Sequence, residues 1–189
     1  MTRDFKTALA LCLATFLITA VAYPAVVWGG AQLLFPWRAR GSLIERSDRT
    51  VVGSRLVAQS FKSPRYFHPR PSAVDYKADG AGGSNLASTN PQLAEMAAAQ
   101  AAGEGGSADR PLPVDLASRS GSGLDPDLSV ESALFQVDRV AAARGVRPEA
   151  IREAVMRRVD HSGWILGAPP RVNVLELNWS LDDHGIVRD

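Results

Sequence analysis

Residues 8–35 read ALALCLATFLITAVAYPAVVWGGAQLLF and contain no charged side chain. Of these 28 residues, 22 are apolar. A helix over the run would be about 42 Å long, whereas the hydrocarbon core of a bilayer is about 30 Å thick. The sequence therefore predicts a single transmembrane helix over residues 8–35, after a short tail of residues 1–7 and before a soluble domain of residues 36–189. Cations flank the run on both sides, and aromatic residues suited to the membrane interface lie towards its second half: the cations are Arg3, Lys6, Arg38 and Arg40, and the aromatic residues are Tyr23, Trp28, Phe35 and Trp37.

A cleaved signal peptide is the alternative interpretation of this segment. Residues 20–22 read Ala-Val-Ala, which is the small-residue pattern of a cleavage site. The apolar run continues for 13 residues beyond Ala22, however, so cleavage there would leave an exposed apolar N-terminus. A retained anchor is therefore favoured. Pro24 lies inside the run and predicts a kink, which neighbouring transmembrane helices could accommodate.

The orientation of this helix does not follow from its flanking charges. The excess of arginine after the run favours a cytoplasmic domain by the positive-inside rule. Long domains, however, translocate largely regardless of their charge. Charge counting alone therefore leaves both orientations open.

The composition of the soluble part argues against several classes of function. Residues 36–189 carry 19 cations and 19 anions, so the domain lacks the basic excess that binds nucleic acid. The single cysteine, Cys12, lies in the apolar run, so the soluble part cannot form a disulfide. The three histidines, His68, His161 and His184, share no ligand spacing, and the sequence predicts no zinc site.

The first half of the soluble part alternates short strands with loops. β-branched and aromatic residues predict one or two strands over residues 51–61, followed by residues 66–67. Turn-forming residues predict that residues 69–91 and 103–128 are rich in loops. Between them, the Ala-rich residues 92–102 predict a short helix with little to bury.

The second half contains two amphipathic helices. Ser129 is the predicted N-cap of the first, whose apolar residues recur at helical spacing until Gly145 ends it. The second helix begins at Pro148 and presents Ile151, Ala154, Val155 and Val159 on one face. Residues 171–181 fit either a strand or a short helix capped by Asn173, and a helix is favoured. The predicted fold is therefore a single N-terminal transmembrane helix followed by one small mixed α/β soluble domain.

The soluble part contains no complete catalytic motif. Residues 80–84 read Gly-Ala-Gly-Gly-Ser and lack both the lysine of a P-loop and the third glycine of a dinucleotide fingerprint. Ser122 lies directly between two glycines, whereas a nucleophile elbow needs glycines two residues away on each side. Asp125 and Asp127 flank a proline before a helix, where aspartates more often act as turn and cap residues than as metal ligands. The sequence therefore predicts no catalytic residue and no metal site.

A series of short motifs runs through the chain in a fixed order. They are Gly53-Ser54, residues 56–59, Tyr66-Phe67, Arg70-Pro71-Ser72, residues 82–86, residues 113–115, residues 120–126, Gln136, Arg139-Val140-Ala141, residues 171–175 and Leu177-Asn178. In order and spacing they resemble KdpC, the C subunit of the bacterial Kdp potassium-transporting ATPase, over nearly the whole chain. Two departures occur: Val57-Ala58 stands where the family usually has Ile-Gly, and Asp127 where it usually has a histidine.

The resemblance implies a non-catalytic accessory subunit of a four-part inner-membrane complex for ATP-driven, high-affinity potassium uptake. The implied partners are a channel-like potassium-binding subunit, a P-type ATPase subunit and a small single-helix subunit, besides membrane lipid. The family subunit is described as stabilising assembly and raising the affinity of the ATPase subunit for ATP, which is a catalytic-chaperone role. No tightly bound cofactor is implied, and ATP enters only in a transient complex with the ATPase subunit.

The implied nucleotide contact falls on Gln136, in the helix after the turn formed by Ser120, Gly121, Ser122 and Gly123. The alternative for Gln136 is a polar residue beside the apolar stripe that bonds to backbone or water. The resemblance places the soluble domain on the periplasmic face, where ATP is absent, so any effect on the ATPase would be indirect. A membrane-anchored extracytoplasmic hydrolase that uses Ser122 is the remaining alternative of a different class.

Overall fold

The chain divides into two compact units after Leu43. The computed structural model describes residues 2–46 and 48–183. The helical segments of the first unit are α1 (Thr2–Phe16), a π-helical segment (Leu17–Ala22), α2 (Tyr23–Leu34) and α3 (Pro36–Ala39). The first three of these are continuous, and over Arg3–Leu34 they form one helix that is long and apolar enough to cross a membrane, with a mean hydropathy of 2.1 over an 18-residue window. The predicted N-terminal helix is confirmed, and it begins before the apolar run.

The π-helical segment lies directly before Pro24. Proline lacks a backbone N–H, and its ring clashes with the carbonyl four residues earlier, which here belongs to Ala20. In the π turns the N–H of Tyr23 bonds to the carbonyl of Ile18, five residues earlier instead of the usual four. The distortion expected at Pro24 therefore takes the form of π turns, and the helix continues to Leu34.

From Leu43 onward, short helices and strands alternate with long connections, which gives the small mixed α/β domain that the sequence predicts. Residues 55–90 contain no helix or strand. The elements are β1 (Leu43–Glu45), β2 (Val51–Ser54), α4 (Pro91–Glu104), α5 (Val114–Ala117), β3 (Asp127–Ser129), α6 (Val130–Phe135), α7 (Val137–Arg144), α8 (Pro148–Arg157), β4 (Val159–Asp160), a 3₁₀ turn (Trp164–Leu166), β5 (Arg171–Asn173) and α9 (Val174–Asp183).

A three-stranded antiparallel sheet and the helices α6 to α9 contribute most of the core. β5 is the central strand, so Val172 lies opposite both Leu128 of β3 and Val159 of β4. β1 and β2 form a separate two-stranded sheet. Each large apolar side chain that is buried stabilises the fold by about 1.5–3 kcal/mol. The buried core side chains are Phe67, Leu116, Leu128, Ala133, Val137, Val140, Ala141, Ile151, Ala154, Val155, Val172, Val174, Leu177 and Leu181.

The single helix predicted from Ser129 to Gly145 is wrong in one respect, because Gln136 divides it into α6 and α7. Its predicted ends are confirmed. The side chain of Ser129 accepts the N–H of Ser132, and Gly145 has a φ of 71°, in the left-handed region that glycine adopts at helix ends. At the break, the N–H of Gln136 bonds to the carbonyl of Ala133, only three residues earlier. This tighter turn separates the two helices.

Residues 171–181 combine the two alternatives that the sequence leaves open. Residues Arg171–Asn173 form β5, and α9 begins immediately afterwards. The side chain of Asn173 accepts the N–H of Glu176 at 3.1 Å, so it caps α9 as expected. The same residue thus ends the central strand and starts the last helix.

The strands predicted over residues 51–61 and 66–67 are only partly found, since β2 ends at Ser54. Phe67 is fully buried outside any strand. The side-chain amide of Asn178, on α9, replaces a neighbouring strand: its Oδ1 accepts the N–H of Phe67 at 2.8 Å, and its Nδ2 donates to the carbonyl of Phe67 at 2.9 Å. The next residue, His68, makes the same pair of bonds with the amide of Gln136. Backbone groups that a sheet would pair are therefore paired by two carboxamides.

We expect Asn178→Leu to destabilise the soluble domain by about 2–4 kcal/mol. The leucine has a similar size but leaves the N–H and the carbonyl of Phe67 buried without partners, and each such group costs about 1–3 kcal/mol. Chemical unfolding of the full chain in detergent, followed by near-ultraviolet circular dichroism, measures the loss. Gln92→Leu, at an exposed position of α4, is the matched control and should change stability by less than about 0.5 kcal/mol. Equal stability of the two variants would contradict the proposed pairing.

Candidate functional site

Gln136 is buried, with all of its side-chain hydrogen-bonding groups engaged. Only 1% of the residue is exposed. Its Oε1 accepts the N–H of His68 at 2.8 Å and Nη2 of Arg139 at 2.6 Å. Its Nε2 donates to the carbonyls of His68 at 3.0 Å and Ser132 at 3.4 Å. These bonds agree with the alternative in which Gln136 is a polar residue that bonds to backbone, although the residue lies in the interior and not on the surface. The nucleotide contact stays a prediction, and a nucleotide reaching this amide would have to break these bonds.

Three charged or ionisable side chains surround this amide. His68 Nδ1 lies 2.7 Å from Glu104 Oε1, and Arg139 Nε lies 3.6 Å from Glu104 Oε2. Nη1 of Arg139 donates to the carbonyls of Pro64 and Tyr66, both at 3.0 Å. Glu104 is the last residue of α4, a helix with no buried residue, so this contact attaches the end of α4 to the domain.

Glu104 and Arg139 stabilise each other's charged forms in partly buried surroundings. Burial alone would raise the pKa of Glu104, but the hydrogen bond from His68 and the positive charges of His68 and Arg139 outweigh it and lower the pKa. Burial lowers the pKa of Arg139, and the charge of Glu104 opposes this shift. Oε2 of Glu104 and Nε of Arg139 are buried without a hydrogen bond, so their ion pair is their main compensation.

The predicted turn at residues 120–123 packs against the glycine-rich loop at residues 80–84. The N–H of Gly82 donates to the carbonyl of Ser122 at 2.8 Å. A Cβ at Gly83 would lie 2.8 Å from the carbonyl oxygen of Gly121, and Gly123 has a φ of 69°. Glycine is therefore required on both sides of this contact. The N–H of Gly82 is bonded within the protein, and a nucleotide role for the turn stays a prediction.

Ser122 is exposed and hydrogen-bonded within its own turn. Its Oγ accepts the N–H of Leu124 at 3.1 Å and lies 3.2 Å from Oγ of Ser120. Among the residues described by the structure, its hydrogen-bond partners include neither a histidine nor a carboxylate. Among the described residues, the geometry therefore offers the hydroxyl of Ser122 no hydrogen-bonded general base, and its bonds are those of a turn residue.

The aspartates considered as metal ligands pair with arginines instead. Asp125 lies 3.2 Å from Nη1 of Arg70, and Asp127 lies 3.2 Å from Nε of Arg171. Oδ1 of Asp125 also accepts the N–H of Asp127, as expected for a turn residue. Within residues 2–46 and 48–183, no cluster of three metal-ligating side chains occurs.

The histidines considered as metal ligands have different surroundings. His68 contacts Glu104, whereas His161 is exposed. His184 lies outside the described residues. No pattern in the sequence predicts the contact between His68 and Glu104, because the two residues are 36 positions apart and lie in a loop and at the end of a surface helix.

Residues 5–183 match the family model described as KdpC: K+-transporting ATPase, c chain. The chain belongs to the KdpC family. The protein named Potassium-transporting ATPase KdpC subunit from Parvibaculum lavamentivorans is 49% identical over 181 residues, which cover 95% of this chain and 96% of the relative. Proteins of the same name from Rhodopseudomonas palustris and Pseudomonas aeruginosa are 46% and 45% identical over 96% of this chain, covering 98% and 97% of the relatives. The resemblance seen in the sequence motifs is confirmed.

In this KdpC family member, motifs that lie far apart in the sequence contact one another. The Tyr66-Phe67 motif meets Asn178, and the glycines of residues 82–86 meet the turn of residues 120–126. Arg139 donates to the carbonyl of Tyr66. Several of the motifs that carry the KdpC resemblance therefore contact one another within the soluble domain.

We expect the acid sensitivity of this domain to depend on Glu104. Because the folded-state pKa of Glu104 is lowered, its ionised form stabilises the fold above the unfolded pKa of about 4.3. That stability is lost as the pH falls through the folded-state pKa, with a slope of at most about 1.4 kcal/mol per pH unit. Glu104→Gln should therefore be less stable at pH 7 and approach the unsubstituted chain below about pH 5.

Unfolding of the full chain in detergent across this pH range measures the effect. Glu95→Gln, at an exposed position of the same helix, is the control and should leave the curve unchanged. A constant difference between Glu104→Gln and the unsubstituted chain at all pH values would contradict the assigned role of the carboxylate.

Proposed function

We propose that this chain is a non-catalytic accessory subunit of a K⁺-transporting ATPase complex. In this role it stabilises assembly and raises the affinity of the ATP-hydrolysing subunit for ATP. Its partners are a channel-like potassium-binding subunit, a P-type ATPase subunit and a small single-helix subunit. ATP belongs to the transient complex with the ATPase subunit and is not a resident cofactor of this chain. Membership of the KdpC family and the long apolar helix support the proposal.

The enclosed amide of Gln136 is the observation that favours an indirect effect on ATP affinity. Its oxygen and its nitrogen each make two hydrogen bonds within the domain. An amide in this position stabilises the domain that it belongs to, because breaking its bonds leaves buried backbone groups unpaired. In our proposal the folded domain contacts its partner subunits, and the complex as a whole determines the affinity for ATP.

The proposal places the soluble domain on the periplasmic face of the inner membrane, with the single helix spanning it. ATP is absent from that compartment, so the chain acts on the ATPase subunit through contacts between subunits. An outward domain and an indirect effect on ATP affinity thus support each other.

We expect Gln136→Ala to weaken assembly without changing the affinity of intact complexes for ATP. The substitution leaves the N–H and the carbonyl of His68 unpaired and should destabilise the domain by about 2–4 kcal/mol. Less complex should then copurify, while complexes that keep all subunits in the normal ratio should have an unchanged KM for ATP. Gln92→Ala, which removes an exposed carboxamide, is the matched control.

Ser122→Ala separates the indirect role from a direct one. The hydroxyl is exposed, so its removal should cost little stability and leave both assembly and the KM for ATP unchanged. A raised KM in fully assembled complexes that carry Ser122→Ala would sink the indirect proposal and favour nucleotide contact, because this substitution leaves the domain intact.

The orientation can be tested with single cysteines, since Cys12 is the only one in the chain. In a Cys12→Ser background, Arg152→Cys on the exposed face of α8 should react with a membrane-impermeant maleimide in intact cells. Arg3→Cys, at the N-terminal end of the apolar helix and thus on the opposite side of the membrane in this proposal, should react only after the membrane is permeabilised. The reverse pattern of labelling would contradict the periplasmic placement.

A further inference from the structure

Helix α4 and the residues beside it lie on the outside of the soluble domain. None of residues 84–106 is buried. One face of α4 is half-buried, with Leu93, Met96, Ala97 and Ala101, and the helix contacts chiefly the short helix α5. A segment without a buried side chain gains less from apolar burial than the core does. Its position therefore depends strongly on the polar contacts that it makes.

Glu104 supplies the polar link between residues 84–106 and the rest of the domain. Its Oε1 lies 2.7 Å from Nδ1 of His68, and its Oε2 lies 3.6 Å from Nε of Arg139. The second contact is incomplete, since neither Oε2 nor Nε makes a hydrogen bond although both atoms are buried. Among the described residues, every other hydrogen bond of residues 84–106 joins two residues of this same segment. One carboxylate thus accounts for its polar attachment.

The chain is fixed to the domain just before and shortly after this segment. Before it, the N–H of Gly82 donates to the carbonyl of Ser122 at 2.8 Å. After it, Nη2 of Arg110 donates to the carbonyl of Phe135 at 2.6 Å. Gly105 follows α4 directly with a φ of 77°, and glycine adopts a wider range of backbone conformations than other residues. The segment can therefore move away and return while both ends stay in place.

The contacts that hold the core do not pass through this segment. The buried side chains of the core all lie outside residues 84–106. Asn178 and Gln136 pair the backbone groups of Phe67 and His68 without any contribution from α4. Movement of the segment leaves these bonds and this packing intact, so it should cost less free energy than unfolding of the whole domain.

We propose that residues 84–106, named here the α4 strap, open away from a domain that stays folded, and that the contact of Glu104 with His68 and Arg139 controls this opening. Opening gives up that contact and the half-buried face of α4, and nothing in the core. The soluble domain then has two arrangements of one surface, and a partner that binds one of them better shifts the balance between them. The inference goes beyond the accessory role proposed above and does not depend on it.

Hydrogen exchange of the backbone amides, measured by mass spectrometry on the full chain in detergent, tests the proposal. The conditions are chosen so that reclosing is faster than exchange, and the rates then report the equilibria of opening. In the unsubstituted chain, the amides of α4 should exchange at least about tenfold faster than those of α7 and α9, because local opening costs less than global unfolding. Equal protection of all three helices would overturn the proposal.

A core substitution separates local opening from global unfolding. Ile151 on α8 is fully buried, and Ile151→Val should speed the exchange of α7 and α9 about fivefold. It should leave the exchange of α4 unchanged, because the folded core is present whether the strap is closed or open. Acceleration of α4 by the same factor as α7 and α9 would show that α4 opens only with the whole domain, and would overturn the proposal.

The role of Glu104 is tested on the same helix. Glu104→Ala should speed the exchange of α4 about tenfold or more, because it removes the charged hydrogen bond that holds the strap closed. Glu95→Ala, at an exposed position of α4, is the matched control and should change this exchange by no more than about twofold. Equal effects of the two substitutions on α4, or no effect of Glu104→Ala, would overturn the control of opening by Glu104.

Discussion

The soluble domain depends on how the backbone of Phe67 and His68 is satisfied. Phe67 is fully buried and His68 is half-buried, among the described residues no strand lies beside them, and buried backbone groups without partners are costly. Asn178 bonds to both backbone groups of Phe67, and Gln136 bonds to both backbone groups of His68. Because an α9 side chain holds one residue and the residue between α6 and α7 holds the next, these elements are fixed around one extended segment. The fully buried Phe67 ring can then serve as a centre of the core.

The same arrangement limits what Gln136 can do in function. Its amide is in the middle of a network that continues through Arg139 and Glu104 to His68. Because the amide oxygen and nitrogen of Gln136 both bond to the backbone of His68, the residue can affect a partner mainly through the shape and stability of its own domain. An accessory subunit of this kind needs a stable surface and an anchor, and the chain has a compact domain and a long apolar helix. These features agree with the proposed effect on the ATPase subunit, which would pass between subunits.

Sequence patterns correctly predicted the elements whose formation depends on residues close together in the chain. The charge-free run gave the long helix because its length and hydropathy are properties of consecutive residues. Ser129, Asn173 and Gly145 ended or began elements where expected, since caps act within one helical turn. The break at Gln136 and the coil at residues 66–68 were not predicted. Both involve hydrogen bonds between distant residues: Gln136 bonds to His68, 68 positions away, and Asn178 bonds to Phe67, 111 positions away.

The sequence alone determined the long apolar helix, the mixed α/β character, the main helices and, through its ordered motifs, the family. Only the tertiary structure decided what the motifs do. It turned Gln136 from a residue beside an apolar stripe into a buried partner of His68, and it paired the two candidate metal ligands with Arg70 and Arg171. Periodicity and capping act over a few residues, whereas burial and hydrogen-bond pairing depend on segments that meet only when the chain folds.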